Sequence, residues 1–99
     1  MKEYLIETNR HNGGIQKVYK FPNGYGASVI QHRGSYGYQK GLWEVAFMDV
    51  DTRDFVDPPL DFLSEYYNPD PGIYGSLNDP DVDRCHKSLS LISNYIGEH

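Results

Sequence analysis

Cysteine is nearly absent from this chain: Cys85 is the single thiol among 99 residues. With nothing to pair with, it rules out the internal disulfide framework that staples small secreted domains, so a reducing cytoplasm is the expected setting. Long apolar runs are missing as well. No stretch approaches the ~20 apolar residues that a membrane-crossing helix needs. The opening Met1-Lys2-Glu3-Tyr4-Leu5-Ile6-Glu7 holds no apolar segment of signal-peptide length, and a non-membrane protein of the cytoplasm follows as the expectation. Ligand spacing is lacking too. His11, His32, His86 and His99 share no interval with one another or with Cys85 that suits zinc. Ser28, Ser35, Ser64, Ser76, Ser88, Ser90 and Ser93 all lie outside the strand-turn-helix glycine signature of an activated nucleophile. No cofactor, no metal and no enzyme activity are therefore expected.

Aliphatic residues are scarce, with a hydrophobic content of 38%, but aromatic residues reach 14% through nine tyrosines, four phenylalanines and Trp43. Each ring buries about 150–250 Å² in a core, so this composition predicts a folded domain built on rings. The length suits one domain, residues 1–99, with one core. Charge is divided unevenly. Residues 1–48 carry six Lys/Arg against three Glu, a net of +3, whereas residues 49–83 carry nine Asp and Glu65 against Arg53, a net of −9. Every aspartate falls inside that second block, which is expected to form one negatively charged exterior.

The pattern along the chain predicts an α+β domain: a small antiparallel sheet of about three to five strands packed against a C-terminal helix over about 80–96. Residues 4–7 suit a short edge strand, and Asn9-Arg10-His11-Asn12-Gly13-Gly14 reads as a loop. Strands over 15–21 and 25–32 flank Pro22-Asn23-Gly24, where Asn-Gly predicts a hairpin with a type I′ turn. Leu42–Val50 is the predicted central strand. Trp43, Val45 and Phe47 alternate with Ala46, Met48 and Val50, so both faces are expected to be covered, one of them by the helix. Phe55-Val56 begins a returning strand and residues 60–67 a short helix. The acidic segment of about 57–79 is expected to be irregular around Asn68-Pro69-Asp70-Pro71-Gly72. In the helix, Asp79 is the expected N-cap, Pro80 the first helical residue and Gly97 the stop. Val82, Cys85, Leu89, Ile92 and Ile96 fall on one apolar stripe, which makes Cys85 a buried thiol.

Two motifs fail on inspection. Lys40-Gly41-Leu42-Trp43-Glu44-Val45-Ala46-Phe47 approaches the octapeptide of RNA-recognition motifs, but Leu42 and Glu44 stand where base-stacking rings are needed. Asp49, Asp51, Asp54, Asp57 and Asp61 suggest a calcium loop, yet Arg53, Asp54 and Leu60 occupy the positions of a ligand, the glycine and the bidentate glutamate. The loop Arg33–Gly41, by contrast, combines tyrosine, glycine and cations in the manner of adaptable contact loops.

Phe21-Pro22-Asn23-Gly24-Tyr25-Gly26-Ala27-Ser28-Val29-Ile30, then Ser35-Tyr36-Gly37 and Gly41-Leu42-Trp43-Glu44-Val45-Ala46, resemble a group of small proteins encoded by bacteriophages. The likeness spans residues 18–50. It departs at Asp57-Pro58-Pro59-Leu60, where similar sequences continue into a short Thr-Pro-rich strand. The resemblance implies a phage origin and action in the host cytoplasm, and it brings no catalytic residues. The expected role is a non-catalytic accessory protein that binds a host protein, inhibiting a defence or nucleic-acid-processing system through its acidic surface. Its contact residues would be Asp49, Asp51, Asp54, Asp57 and Asp61 together with Arg33, Tyr36, Tyr38 and Lys40. One alternative is nucleic-acid binding by Lys17, Lys20, Arg33 and Lys40 with Tyr36 and Tyr38, which the net charge of −5 opposes. Another is a minor structural role in the virion.

Overall fold

Asn-Gly stands in the turns of two hairpins in this protein, as expected at Asn23-Gly24, but the two-residue type I′ turn falls at Asn12-Gly13. In the computed structural model, which describes residues 3–92, strands β1 (Leu5–His11) and β2 (Gly14–Lys20) are joined by these two residues alone. Both have positive φ, 46° and 76°, the combination of a type I′ turn. The stretch expected as a loop is therefore strand up to His11. Pairing with β2 satisfies its backbone, so its polar side chains can stay in water.

At the second site only Gly24 has positive φ, 93°. Gly24 N–H donates to the Phe21 carbonyl at 3.1 Å and Phe21 N–H to the Tyr25 carbonyl at 2.8 Å. This is a type I turn closed by a glycine bulge, and the fixed φ of Pro22 favours it at the second turn position. It leads into β3 (Tyr25–Gln31), which pairs with β4 (Trp43–Asp49), the expected central strand.

Six antiparallel strands form the sheet, in the order β1-β2-β3-β4-β6-β5, more than the three to five expected. The extra pair, β5 (Tyr67–Asp70) and β6 (Ile73–Leu77), comes from the segment expected to be irregular. Pro69 is tolerated because β5 is an edge strand that needs no donor on its outer side. Pro71-Gly72 is the hairpin loop itself, with Gly72 at φ 83°, as a type II turn requires. Before this pair, Phe55 makes a single bridge to Met48, and Asp61–Glu65 forms a 3-10 turn that places Leu63 in the core.

Helix α1 (Asp79–Ser90) packs on one face of the sheet against Tyr19, Phe21, Tyr25, Val45, Phe47 and Leu77. Its N-cap is Asn78 and not Asp79. The Asn78 side chain accepts from Asp81 N–H at 2.9 Å, and Asp81 accepts from Asn78 N–H at 3.1 Å, a capping box. Asp79 becomes the first helical residue, Pro80 the second, and the Asp79 carboxylate accepts from the Trp43 indole N–H at 2.7 Å. The helix closes at Ser90, earlier than expected, because the last turn tightens into Leu91→Ser88 and Ile92→Leu89 bonds and Asn23 caps the carbonyls of Leu89 and Ile92. Ile96 and Gly97 lie outside the described residues. The opposite face of the sheet has no second layer among the described residues. A polar ladder of Glu7, Asn9, Gln16 and Ser28 crosses it, and Met48 is buried there beside Phe55, so double coverage of β4 is corrected to one helix-covered face. No helix of the described residues is long and apolar enough to cross a membrane.

Val82, Cys85 and Leu89 enter the core as the stripe predicted. Burial, with the Asp81 carboxylate adding and Arg84 opposing, pushes the Cys85 thiol up to about 12. Since the thiolate is the reactive form, native protein at pH 8 is expected to leave Ellman's reagent uncoloured. Urea-unfolded protein should release one equivalent, and fast native labelling would contradict the packing.

Candidate functional site

The nine aspartates do not build one surface. Trp43, at the start of β4, binds Asp79, while Asp49 ends the same strand, roughly 20 Å away at ~3.4 Å per residue. Asp79 and Asp81 belong to the helix start, where Asp81 also accepts from the Tyr66 hydroxyl at 2.8 Å. Asp49, Asp51, Asp54 and Asp57 gather at the far end of β4.

At that far end, local chemistry explains the arrangement. The Asp49 side chain accepts from Asp51 N–H at 2.8 Å and Thr52 N–H at 3.2 Å. Arg53 takes a left-handed φ of 66° to complete the turn. Asp57 accepts from Gly72 N–H at 2.9 Å and from the Tyr74 hydroxyl; burial and this bond raise the Tyr74 phenol. Asp49 and Asp57 thus hold the loop, while Asp51 and Asp54 stand exposed with no carboxylate contact among the described residues. Asp61 is separated from them, since its 3-10 turn belongs to the helix-side layer.

Between these acids stands Phe55. Val56 N–H donates to the Phe47 carbonyl at 3.0 Å and Asp49 N–H to the Asp54 carbonyl at 2.9 Å, so the backbone of residues 54–56 lies beside β4 in line with β6. The Phe55 ring falls on the open sheet face beside Met48 and remains 54% exposed. In the sequence, Phe55 stands out only as a strand former. Its exposure depends on which face of β4 the helix covers, and no local pattern encodes that.

The other predicted residues meet at the opposite end. Arg33, Tyr36, Tyr38 and Lys40 line one hollow of about 330 Å³ together with Ser35, Gly37, Gln39 and Ser76. The loop that carries them is held by named bonds. Ser35 caps His32 at both N–H and carbonyl, Tyr36 N–H donates to the Glu44 carboxylate at 3.1 Å, and Ser76 N–H donates to the Tyr36 carbonyl at 3.3 Å. Gly37 and Gly41, both left-handed, bracket the 3-10 turn Tyr38–Lys40. Tyr36 lies edge-on to Tyr67 at 4.9 Å, and Tyr67 together with the Glu44 and Asp70 carboxylates raises its phenol. Lys17 and Lys20 do not join this site. Lys17 lies over the Trp43 ring at 5.3 Å, and Lys20 pairs with Gly26 at the other end of the sheet.

No group of three or more His, Cys, Asp or Glu side chains among the described residues is placed to hold a metal ion. Comparison with family models, curated proteins and solved structures gives no match, so the functional reading rests on the chemistry of these two ends.

Proposed function

We propose that this chain is a non-catalytic accessory protein of phage origin that docks on a host protein through Phe55 and the carboxylates of Asp51 and Asp54. The observation that carries the reading is Phe55, an aromatic ring 54% exposed on a backbone pinned to β4. Half a ring left in water forgoes on the order of 1 kcal/mol that burial would recover. A ring on a fixed backbone can be buried by a partner with little ordering entropy to offset, which is how aromatic anchors act in interfaces. The acids specify the complement: an apolar pocket rimmed by Lys and Arg. Proteins that handle nucleic acid present such clefts, and occupying one would inhibit it.

Anchor and rim make separable contributions. In capture from host lysate at low salt, wild type is expected to retain one dominant partner. Phe55→Ala should weaken it by roughly 30-fold, as loss of a hot spot does. Asp51→Asn with Asp54→Asn should slow association and flatten its salt dependence, leaving dissociation nearly unchanged. Equal retention by Phe55→Ala, or no partner above background, would overturn the proposal.

A further inference from the structure

The hollow at the other end of the sheet is lined by two cations in a chain of net negative charge. The chain carries 14 Asp and Glu against nine Lys and Arg, yet no carboxylate of the described residues lines this hollow. Its walls are Arg33, Lys40, the Gln39 amide and the hydroxyl-bearing Tyr36, Tyr38 and Ser76, while the Ser35 hydroxyl is already engaged by His32. Glu44 stands outside, with one oxygen held by the Tyr36 N–H.

Ser76 supplies a second, independent observation. Its φ is 65°, in a region that costs a non-glycine residue about 1–2 kcal/mol. It interlocks with Gly37, where an added Cβ would lie 2.9 Å from the Ser76 Cα and 3.0 Å from its Oγ. Glycine would take this backbone without strain. Serine keeps a hydroxyl on the wall of the hollow, beside its two cations.

We propose that this hollow binds a nucleoside phosphate, free or as one unit of a single strand. The phosphate would lie between Arg33 and Lys40, within reach of Ser76, and the base against Tyr36. The volume of about 330 Å³ is at the lower bound for small-molecule sites, which run from about 300 Å³. Tyr36 and Tyr67 are 43% and 56% exposed, leaving ring surface for a base to stack on. Arg33 continues beyond the hollow. Its Nε lies 3.7 Å from where a Cβ on Gly13 would stand, beside a second hollow lined by Arg10, Asn12, Gly13, Gly14 and Ile15. A strand leaving the first hollow would meet Arg10 there, which gives its next phosphate a cation.

Amide spectra of the full chain, titrated at ~50 mM salt with inorganic phosphate, uridine monophosphate and a thymidine octanucleotide, test the proposal. Shifts are expected at Arg33, Tyr36, Lys40 and Ser76. Arg33→Ala and Lys40→Ala should each weaken nucleotide binding about tenfold, the loss of one charged hydrogen bond. Tyr36→Ala should weaken the nucleotide but not inorganic phosphate. Tighter binding of the octanucleotide that also shifts Arg10 identifies the strand as the source; equal binding identifies the free nucleotide. Inorganic phosphate binding as tightly as the nucleotide, shifts confined to other residues, or no shift at about 10 mM probe would overturn it. Phe55→Ala should leave these titrations unchanged and Arg33→Ala should leave partner capture unchanged, so the two proposals fail separately.

Discussion

Asn23→Asp is expected to destabilise the protein by about 3 kcal/mol at neutral pH, a fall in Tm of roughly 12–24 °C for a domain of this size. The Asn23 amide donates to the Leu89 carbonyl at 2.6 Å and the Ile92 carbonyl at 3.1 Å, while its oxygen accepts from Tyr25 N–H at 3.2 Å. The substitution keeps shape and acceptor and removes only the donors. It also sets a negative charge against two carbonyls at the negative end of α1. Those carbonyls raise the new carboxyl in the folded state, so protonation relieves the defect. The deficit relative to wild type should therefore shrink as pH falls below about 5. Thermal melts at pH 7 and pH 4 measure both effects. A deficit under about 0.5 kcal/mol would mean that the amide does not tie the helix end to the turn.

A second large effect belongs to His86. Its side chain is fully buried, 4.2 Å from the Tyr19 ring and 5.7 Å from the Phe21 ring, and neither nitrogen has a hydrogen-bond partner among the described residues. Burial pulls the imidazole down to about 4, with Asp83 working in the opposite direction. The unfolded chain keeps an ordinary imidazole near 6.5. As pH falls through 6.5 the unfolded state takes up a proton and the folded state does not. Stability present above pH 6.5 is then lost progressively until about pH 4, by a total of roughly 3 kcal/mol. His86→Phe should remove this slope, leaving only what the carboxylates contribute, and should match or exceed wild type at pH 7 because two unpaired polar atoms leave the core. Parallel stability curves for the two proteins between pH 4 and 7 would refute the assignment. The imidazole titration, followed by proton NMR, should give a midpoint well below 6.

Salt and pH probe different parts of this molecule. The exposed Asp51 and Asp54 lie outside the core, so their neutralisation should change encounter rates more than stability. His86 lies inside it and should change stability without altering docking at neutral pH. Measuring both separates binding chemistry from folding chemistry.

How much of this was legible beforehand depended on how local the cause was. The alternation of Trp43, Val45 and Phe47 with Ala46 and Met48 identified β4, because a strand's two faces are written at every second residue. Val82, Cys85 and Leu89 identified α1 in the same way. Asn-Gly is a turn signal at both places, but residues beside the first mislead: Asn9 and Arg10 are polar because β1 is an exposed edge, not because it is a loop. Pro69 and Pro71 argued against a ladder, and only the edge position of β5 makes them compatible with one. In the hollow, Arg33, Tyr36, Tyr38 and Lys40 were legible as one loop. Ser76 was not, because its strain exists only where β6 meets that loop.

By itself the chain's order of residues determined an α+β domain, a ring-built core, a central strand, a buried thiol and a charge divided between its halves. All of these follow from periodicity or composition, which act over a few residues. The tertiary structure alone decided that the aspartates do not share one surface, that Phe55 stands exposed among four of them, and that Asn23 holds a helix end 66 residues away in sequence. Such outcomes depend on which strand ends lie side by side, and chain closure sets that, not neighbouring residues.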